Sequence, residues 1–195
     1  MVETYTPECD FNTKAHDFEL KNTDDKFYKL DELVGDKATL IMFICNHCPY
    51  VKSILEQLVV EASVLQKKGV ACIAINSNDS SKYPEDSFEN MQKISRKFGF
   101  SFPYLFDNTQ AVARSYKAVC TPDFFGYNSK LELLYRGRFD DRKTSKQMSA
   151  NSSELFKGRI EIARTGKSPM NQKPSVGCSI KSVSYTHLRA HETCV

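Results

Sequence analysis

The sequence lacks three features that would point to a nucleic acid or a membrane. Its 27 Lys and Arg residues against 24 Asp and Glu residues leave a net charge of only +3, and both signs are interspersed, so no basic surface is expected. No apolar run approaches the roughly 20 residues that a membrane-spanning helix needs. The polar start, MVETYTPECD, lacks the charged and then apolar pattern of a secretory leader. The sequence therefore predicts a cytoplasmic protein that binds neither nucleic acid nor membrane.

The seven cysteines are an odd number, which argues against a framework of disulfides. Stable structural disulfides are also rare in cytoplasmic proteins. A C-x-x-C spacing in such a protein indicates a redox pair or a metal-binding site. The segment FICNHCPYV contains this spacing at Cys45 and Cys48. These two residues are the main candidates for chemistry.

At 195 residues, the chain has the size of one domain, which we expect to span residues 1–181. The segment VSYTHLRAHET, Val183–Thr193, resembles the translation of a sequencing adapter, residue for residue. Residues 182–195 are therefore interpreted as an artefact tail. Its two histidines and Cys194 are left out of any candidate metal site.

Apolar runs and helical periods alternate along the chain. The runs ATLIMFI and VACIAINSN predict strands that are buried on both faces. The segments CPYVKSILEQLVVEASVLQKKG and SFENMQKISRKFG have the helical period, and Asp86 with Glu89 predicts a capping box where the second of these helices begins. A short strand, a short helix, a hairpin and a last helix follow. We expect an α/β fold, a central mixed sheet flanked by helices with an N-terminal strand or hairpin extension.

The C-x-x-C lies where the first buried strand passes into the first long helix. Unpaired N–H groups at a helix N-terminus favour a thiolate, the reactive form of cysteine. Cys45 precedes the helix and is expected to be exposed, so it is the predicted nucleophile. Cys48, in the first turn, is the predicted resolving thiol. His47 is expected to favour the Cys45 thiolate, and Pro49 suits a first turn that needs no N–H partner.

Other interpretations of these thiols remain open. Cys45 and Cys48 could be two buried thiols, or they could join His47 and Cys120 in a zinc or copper(I) site. We expect neither a metal nor another cofactor, because the chain has no second C-x-x-C and no spaced pair of histidines. Cys120 is either an additional thiol of the site or a core residue. Cys178 is either a mobile resolving cysteine or a packed one.

Four segments in order resemble the peroxiredoxin-like branch of the alkyl hydroperoxide reductase/thiol-specific antioxidant (AhpC/TSA) family, in the thioredoxin-like superfamily. They are FICNHCPYV, NSND with YPEDSFENM, YKAVCTPDFFGYN and PSVGCSIK. The resemblance implies a thioredoxin-like fold in which the Thr121–Pro122 bond is cis and lies beside Cys45 and Cys48. It also implies that Asn46, His47, Thr121 and Pro122 support the two cysteines.

The pattern of the peroxide-reducing members is incomplete. With Cys48 in the peroxidatic position, Ile41 stands where their proline belongs and Cys45 where their threonine belongs. The sequence therefore favours thiol–disulfide exchange, with a possible antioxidant role, over peroxide reduction. The expected partners are a protein or small-molecule disulfide and an external thiol reductant. The alternative is a redox sensor without turnover, or a copper-handling module, on the same fold.

Overall fold

The fold is described from a computed structural model of the chain. It describes residues 3–7, 9–142, 144 and 153–181. The adapter-like segment 182–195 lies outside these residues, so its interpretation stays a prediction. The strands are β1 (Glu3–Tyr5), β2 (Glu19–Asn22), β3 (Phe27–Lys29), β4 (Ala38–Phe43), β5 (Val70–Asn76), β6 (Tyr104–Phe106), β7 (Cys120–Thr121), β8 (Asp123–Asn128), β9 (Leu133–Gly137) and β10 (Val176–Ser179). The helices are α1 (Leu30–Leu33), α2 (Pro49–Gln66), α3 (Phe88–Phe98), α4 (Ala111–Ser115) and α5 (Glu154–Thr165).

A central sheet of seven strands has the order β3-β2-β6-β5-β4-β8-β9. Strands β4, β5 and β6 are parallel to one another. The β2–β3 hairpin extends one edge and the β8–β9 hairpin the other, both antiparallel. The predicted mixed sheet and the predicted N-terminal hairpin are therefore confirmed.

Strand β4 is apolar at every position except Thr39, whose hydroxyl accepts the N–H of Gly35 at 3.1 Å. Leu40 and Met42 enter the core on the face that α2, α3 and α5 cover. Ile41 and Phe43 enter the opposite core, with residues of α1 and α4. Because successive side chains of a strand point to opposite faces, a strand that is covered on both sides is expected to be apolar on both faces. Each large side chain buried in this way contributes about 1.5–3 kcal/mol.

A second sheet of three strands, β1-β10-β7, was not predicted. Its strands are short, and its pairings join the two ends of the described chain to a middle segment: Glu3 lies opposite Cys178, and Cys178 opposite Thr121. Strand β10 is only four residues long, and the sequence pattern of such a short strand is weak. This small sheet matters because it covers the cysteines.

The start of α3 corrects one prediction. Ser87, not Asp86, is the N-cap, and its hydroxyl accepts the N–H of Asn90 at 3.4 Å. Asp86 ends a 3-10 turn, Pro84–Asp86, and is fully buried. The predicted capping box of Asp86 with Glu89 is therefore wrong, because the carboxylate points inward to other donors. Helix α2 does begin at Pro49, as expected.

Membrane-spanning helices were sought in the part of the chain that the structure describes. None of the helices there has both the length and the apolar character that a span requires.

Candidate active site

The C-x-x-C lies between the end of β4 and the start of α2, as the sequence predicts. Cys45 belongs to the connecting loop and Cys48 is the N-cap of α2. Strand β4 lies inside the sheet, between parallel β5 and antiparallel β8. The two sulfurs therefore lie at the carboxyl edge of the sheet, where side chains of several elements can meet.

Thr121 contacts both cysteines. Its hydroxyl lies 3.2 Å from Cys45 Sγ, and its backbone carbonyl accepts a hydrogen bond from Cys48 Sγ at 3.2 Å. The next peptide bond, Thr121–Pro122, is cis. The structure thus brings Cys45, Cys48, Thr121 and Pro122 into one corner.

Both thiols are buried, with exposed fractions of 2% for Cys45 and 0% for Cys48. The expectation that Cys45 is exposed is therefore wrong. The cause is the small sheet: β7 places Thr121 on the two sulfurs, and β10 packs against β7. Neither contact is visible in the local sequence around the C-x-x-C.

The two thiols have opposite ionisation tendencies. A hydrogen bond from the Cys45 thiol lowers the pKa of Cys48 to about 5, and further hydrogen bonds from Cys178 and from the backbone N–H of Val51 act in the same direction. Burial raises the pKa of Cys45 well above its ordinary value, and hydrogen bonding to Cys48 adds to that rise. The negative charge of the reduced pair is therefore held on Cys48, whereas the sequence predicted it on Cys45.

Asp86 organises the loop between the two cysteines. Its Oδ1 accepts the backbone N–H groups of Asn46 at 2.7 Å and of His47 at 3.3 Å. Its Oδ2 accepts from His47 Nδ1 at 2.5 Å and from Asn78 Nδ2 at 2.8 Å. A carboxylate has about four lone-pair sites, and all four are used here.

His47 and Asn46 are held in place by their surroundings. The His47 ring stacks on Tyr83, with 5.2 Å between centroids and 8° between planes, and the hydrogen bond to Asp86 raises its pKa. The Asn46 side chain donates to the Glu85 carbonyl at 2.8 Å and accepts from the Tyr104 hydroxyl at 2.9 Å. Asn46 is thus an anchor of the loop, and a ring nitrogen of His47 lies within 4.8 Å of Cys45 Sγ.

Sequence reasoning missed Asp86, Asn78 and Tyr104. A usable signal exists for the first two, because NSND and YPED follow β5, the parallel neighbour of β4. The carboxyl ends of neighbouring parallel strands lie at the same edge of a sheet, so polar residues there are candidates for one site. No comparable local signal marks Tyr104, which lies inside the short strand β6.

Cys178 is part of the corner. Its Sγ lies 3.1 Å from Cys48 Sγ, and it is buried within β10 between β1 and β7. Of the two interpretations of Cys178, its position fits the packed one, since both neighbouring strands pair with its own. Cys120 is also buried; its Sγ lies 3.8 Å from the Pro122 carbonyl, and burial raises its pKa.

One group of potential metal ligands occurs among the described residues. Atoms of Cys45, His47 and Asp86 lie within 4.8 Å of one another. The ligand set suggested by the sequence, which included Cys48 and Cys120, does not form this group. Because Asp86 already accepts four hydrogen bonds, a metal ion bound there would have to replace at least one of them.

A central mixed sheet, paired cysteines at the start of the first long helix and a cis-proline loop beside them define a thioredoxin-like protein. The sequence profile of the AhpC/TSA family matches residues 11–139, about two thirds of the chain. The chain belongs to the AhpC/TSA family. The matched range contains Cys45, Cys48, Thr121 and Pro122 but not Cys178.

Solved structures agree with this assignment. An uncharacterized conserved protein from Geobacillus kaustophilus is 42% identical, with a TM-score of 0.88, and the match covers 94% of this chain and 97% of that one. A hypothetical protein from Sinorhizobium meliloti 1021 is 35% identical, with a TM-score of 0.87 and coverages of 93% and 99%. Peroxidoxin BcpB from Mycobacterium tuberculosis is similar in fold, with 15% identity, a TM-score of 0.56 and coverages of 78% and 92%. A search of curated protein sequences finds no match.

Proposed function

We propose that the protein is a thiol–disulfide oxidoreductase in which Cys45 and Cys48 form the dithiol–disulfide couple. The observation that carries the proposal is the environment of Cys48, the N-cap residue of α2: its sulfur lies 3.1 Å from Cys178 Sγ, and hydrogen bonds from Cys45 and Cys178 lower its pKa. Such an environment stabilises a thiolate, and a stabilised thiolate makes the corresponding disulfide a better oxidant. Two solved structures with a similar fold are the thioredoxin domain of a thiol-disulfide oxidoreductase from Bacteroides vulgatus and a secreted disulfide oxidoreductase from Mycobacterium tuberculosis.

Cys45 is the sulfur that attacks the substrate disulfide in this proposal. Cys48 is enclosed by its own helix, by the Thr121 carbonyl and by Cys178, whereas Cys45 lies in the loop ahead of the helix. The Cys45 thiol gives its proton to the Cys48 thiolate as it attacks. A mixed disulfide then joins Cys45 to the substrate, and one substrate thiolate leaves.

Cys48 completes the exchange. It attacks Cys45 Sγ, so that the Cys45–Cys48 disulfide forms and the second substrate sulfur leaves with the proton that Cys48 gives up. The substrate disulfide has gained two electrons, and the protein has lost two. An external thiol reductant in the cytoplasm restores the dithiol, and a protein or small-molecule disulfide is the substrate class.

An antioxidant role follows if the substrate sulfur is an oxidised thiol. The residues around Cys48 support direct reduction of peroxide less well, because they depart from the pattern of the peroxide-reducing members that this chain resembles. Ile41 and Cys45 occupy the positions of their proline and threonine, and the Ile41 side chain is buried in the core opposite α2. Peroxide consumption is therefore expected to be slow beside disulfide exchange.

The proposal is tested by turnover and by trapping. With dithiothreitol as reductant and insulin as disulfide substrate, the wild-type protein should turn over, and Cys45→Ser should abolish turnover. Cys48→Ser should accumulate a mixed disulfide on Cys45, because the resolving thiol is gone. The control is Cys72→Ser, another buried thiol, whose sulfur faces the backbone carbonyls of Ala62 and Val70.

Two outcomes would contradict the proposal. Wild-type turnover no faster than that of Cys45→Ser would contradict an enzymatic role and favour the redox sensor without turnover. An adduct that forms on Cys48 in Cys45→Ser, with none on Cys45 in Cys48→Ser, would reverse the two roles.

Metal binding is the second candidate, because Cys45, His47 and Asp86 lie together. Metal content distinguishes it from the redox couple. Protein purified without oxygen and titrated with copper(I) or zinc should bind less than one equivalent at this site if the oxidoreductase proposal is right. Stoichiometric binding that His47→Ala abolishes, with the redox couple of the metal-free protein unchanged, would favour the metal module.

A further inference from the structure

Cys178 lies closer to the redox pair than its position in the sequence suggests. The 3.1 Å between Cys178 Sγ and Cys48 Sγ compares with the 2.03–2.05 Å of a disulfide bond. A movement of about 1 Å would therefore bring the two sulfurs to bonding distance. Both side chains are buried, so the pair is shielded from competing thiols in solution.

Gly177 explains how a strand from the far end of the chain reaches the pair. A Cβ atom built on Gly177 would lie 2.1 Å from the Thr121 carbonyl oxygen, a distance that no side chain could tolerate. The absence of a side chain lets the backbone of β10 pack directly on the Thr121–Pro122 segment. The pairing of Cys178 with Thr121 then aims the Cys178 thiol at Cys48.

Thr121 links all three sulfurs. Its hydroxyl contacts Cys45, its carbonyl accepts from Cys48, and its strand pairs with the strand of Cys178. Cys48 is the middle sulfur, because it interacts with Cys45 on one side and with Cys178 on the other. Such an arrangement can pass a disulfide bond from one pair to the other.

We propose that Cys178 is a third redox thiol, which exchanges with the Cys45–Cys48 disulfide to form a Cys48–Cys178 disulfide. Cys178 Sγ attacks Cys48 Sγ, the Cys48–Cys178 bond forms and the Cys45–Cys48 bond breaks. The proton that Cys178 loses passes to the departing Cys45 sulfur. No electrons enter or leave the protein in this step, so no further oxidant is needed.

The exchange changes what the oxidised protein can do. With the disulfide between Cys48 and Cys178, Cys45 is again a free thiol in the loop ahead of α2. An oxidised molecule could then still form a mixed disulfide through Cys45. Burial raises the pKa of Cys178 to about 12, and a protonated thiol is a poor nucleophile. The second disulfide is therefore expected to form after the first and more slowly.

This inference rests on the proposed Cys45–Cys48 couple, and disulfide mapping tests the two separately. Cys45 and Cys48 share one tryptic peptide, residues 38–52, and Cys178 lies in another, residues 168–181. A Cys45–Cys48 disulfide therefore closes a loop within one peptide, and a Cys48–Cys178 disulfide joins two peptides. The reduced full-length protein is oxidised with glutathione disulfide, quenched with acid at successive times and digested.

In the wild-type protein, the looped peptide should appear first and the joined peptides should increase at its expense, with two thiols lost throughout. Cys178→Ser should keep only the looped peptide. Cys45→Ser should yield only the joined peptides, and Cys72→Ser should behave as the wild type. If Cys45→Ser fails to fold, the wild-type time course alone decides.

A looped peptide that persists in the wild-type protein, with no joined peptides at equilibrium, would overturn the inference and leave the Cys45–Cys48 couple intact. The absence of the looped peptide from both the wild type and Cys178→Ser would instead contradict the proposed couple. The two failures are therefore distinguishable.

Discussion

Asp86 and Asp123 are both fully buried, and both lie beside the cysteine corner, one before α3 and the other after Pro122. Asp86 accepts four hydrogen bonds, one of them from the ring of His47. Asp123 accepts one from Arg136 at 3.1 Å, and its Oδ1 has no hydrogen-bond partner among the residues that the structure describes. Burial raises the pKa of Asp123 to about 7, although Arg136 acts in the opposite direction.

The difference teaches that two carboxyl groups that are equally buried can differ widely in the donors that reach them. The cost of burying a carboxylate is offset where N–H groups converge on it and is only partly offset where a single guanidinium does. The thiols follow the same rule: Cys48 receives several donors and its pKa falls, whereas that of buried Cys45 rises. Substitutions around the corner differ in how strongly they disturb these donor sets.

The largest effect is expected from Asp86→Asn. The amide nitrogen would face the His47 ring or Asn78 with a donor where an acceptor is needed, so we expect a loss of about 3–5 kcal/mol in the free energy of unfolding. Turnover should also fall, because the loop of residues 45–48 would be less well ordered. Asp123→Asn is the matched control and should cost only about 1 kcal/mol, because its carboxyl is already partly protonated near neutral pH. Urea unfolding of the reduced proteins gives both values, and equal losses would refute the comparison.

The thiol pair is expected to respond next. In the reduced wild-type protein, ultraviolet absorbance should detect one thiolate that appears with a midpoint at about pH 5, as the pKa of Cys48 indicates. Cys48→Ser should remove this transition. Cys45→Ala should move it upward by more than about one unit, or roughly 1.4 kcal/mol, because the Cys45 thiol is the leading donor and an alanine side chain cannot replace it. A low midpoint that survives in Cys48→Ser would assign the thiolate to another residue.

Asp123 predicts a pH dependence of stability. Because its pKa is raised from 3.8 to about 7, the folded state keeps a proton that the unfolded chain has lost. The stability from this group is fully present below pH 3.8 and is lost as the pH rises through about 7. Wild-type protein should therefore lose more free energy of unfolding than Asp123→Asn between about pH 4 and pH 8, by at least about 1 kcal/mol. The pKa of His47 is also raised, so His47 likewise loses stabilisation as the pH rises, but it does so in both proteins. Parallel curves of unfolding free energy against pH for the two proteins would mean that Asp123 does not titrate.

The smallest effect is expected from His47→Ala. The imidazolium near the sulfurs favours the reduced thiolate, and a local charge interaction of this kind is worth about 1 kcal/mol. Since about 30 mV corresponds to 1.4 kcal/mol for a two-electron couple, the reduction potential should fall by some tens of millivolts and the pKa of Cys48 should rise. His16→Ala is a control at a histidine that packs against Tyr116. An unchanged potential in His47→Ala would show that the charge of His47 does not reach the sulfurs.

Much of the fold could be predicted because its signals are local. The continuous apolar run of β4, the helical period of α2 and the position of the C-x-x-C between them all follow from neighbouring residues. The identity of Thr121–Pro122 as the facing loop came from resemblance to a family. The burial of Cys45, the ionisation of Cys48 and the position of Cys178 depend on β7 and β10, which pair across long separations in sequence. The local pattern around Asp86 fits a helix cap. Its carboxylate points inward because it accepts hydrogen bonds from Asn46 and His47, which belong to another loop.

The most direct test of the redox couple is an equilibrium titration of the wild-type protein in buffers of defined thiol–disulfide ratio, with the disulfides identified by peptide mapping. We expect a single two-electron transition in which the looped peptide with the Cys45–Cys48 disulfide forms first, while Cys72 and Cys120 remain reduced. Cys45→Ser should lack the looped peptide at every ratio. Thiols of Cys45 and Cys48 that both persist at oxidising ratios, in protein that remains folded, would contradict the proposed couple.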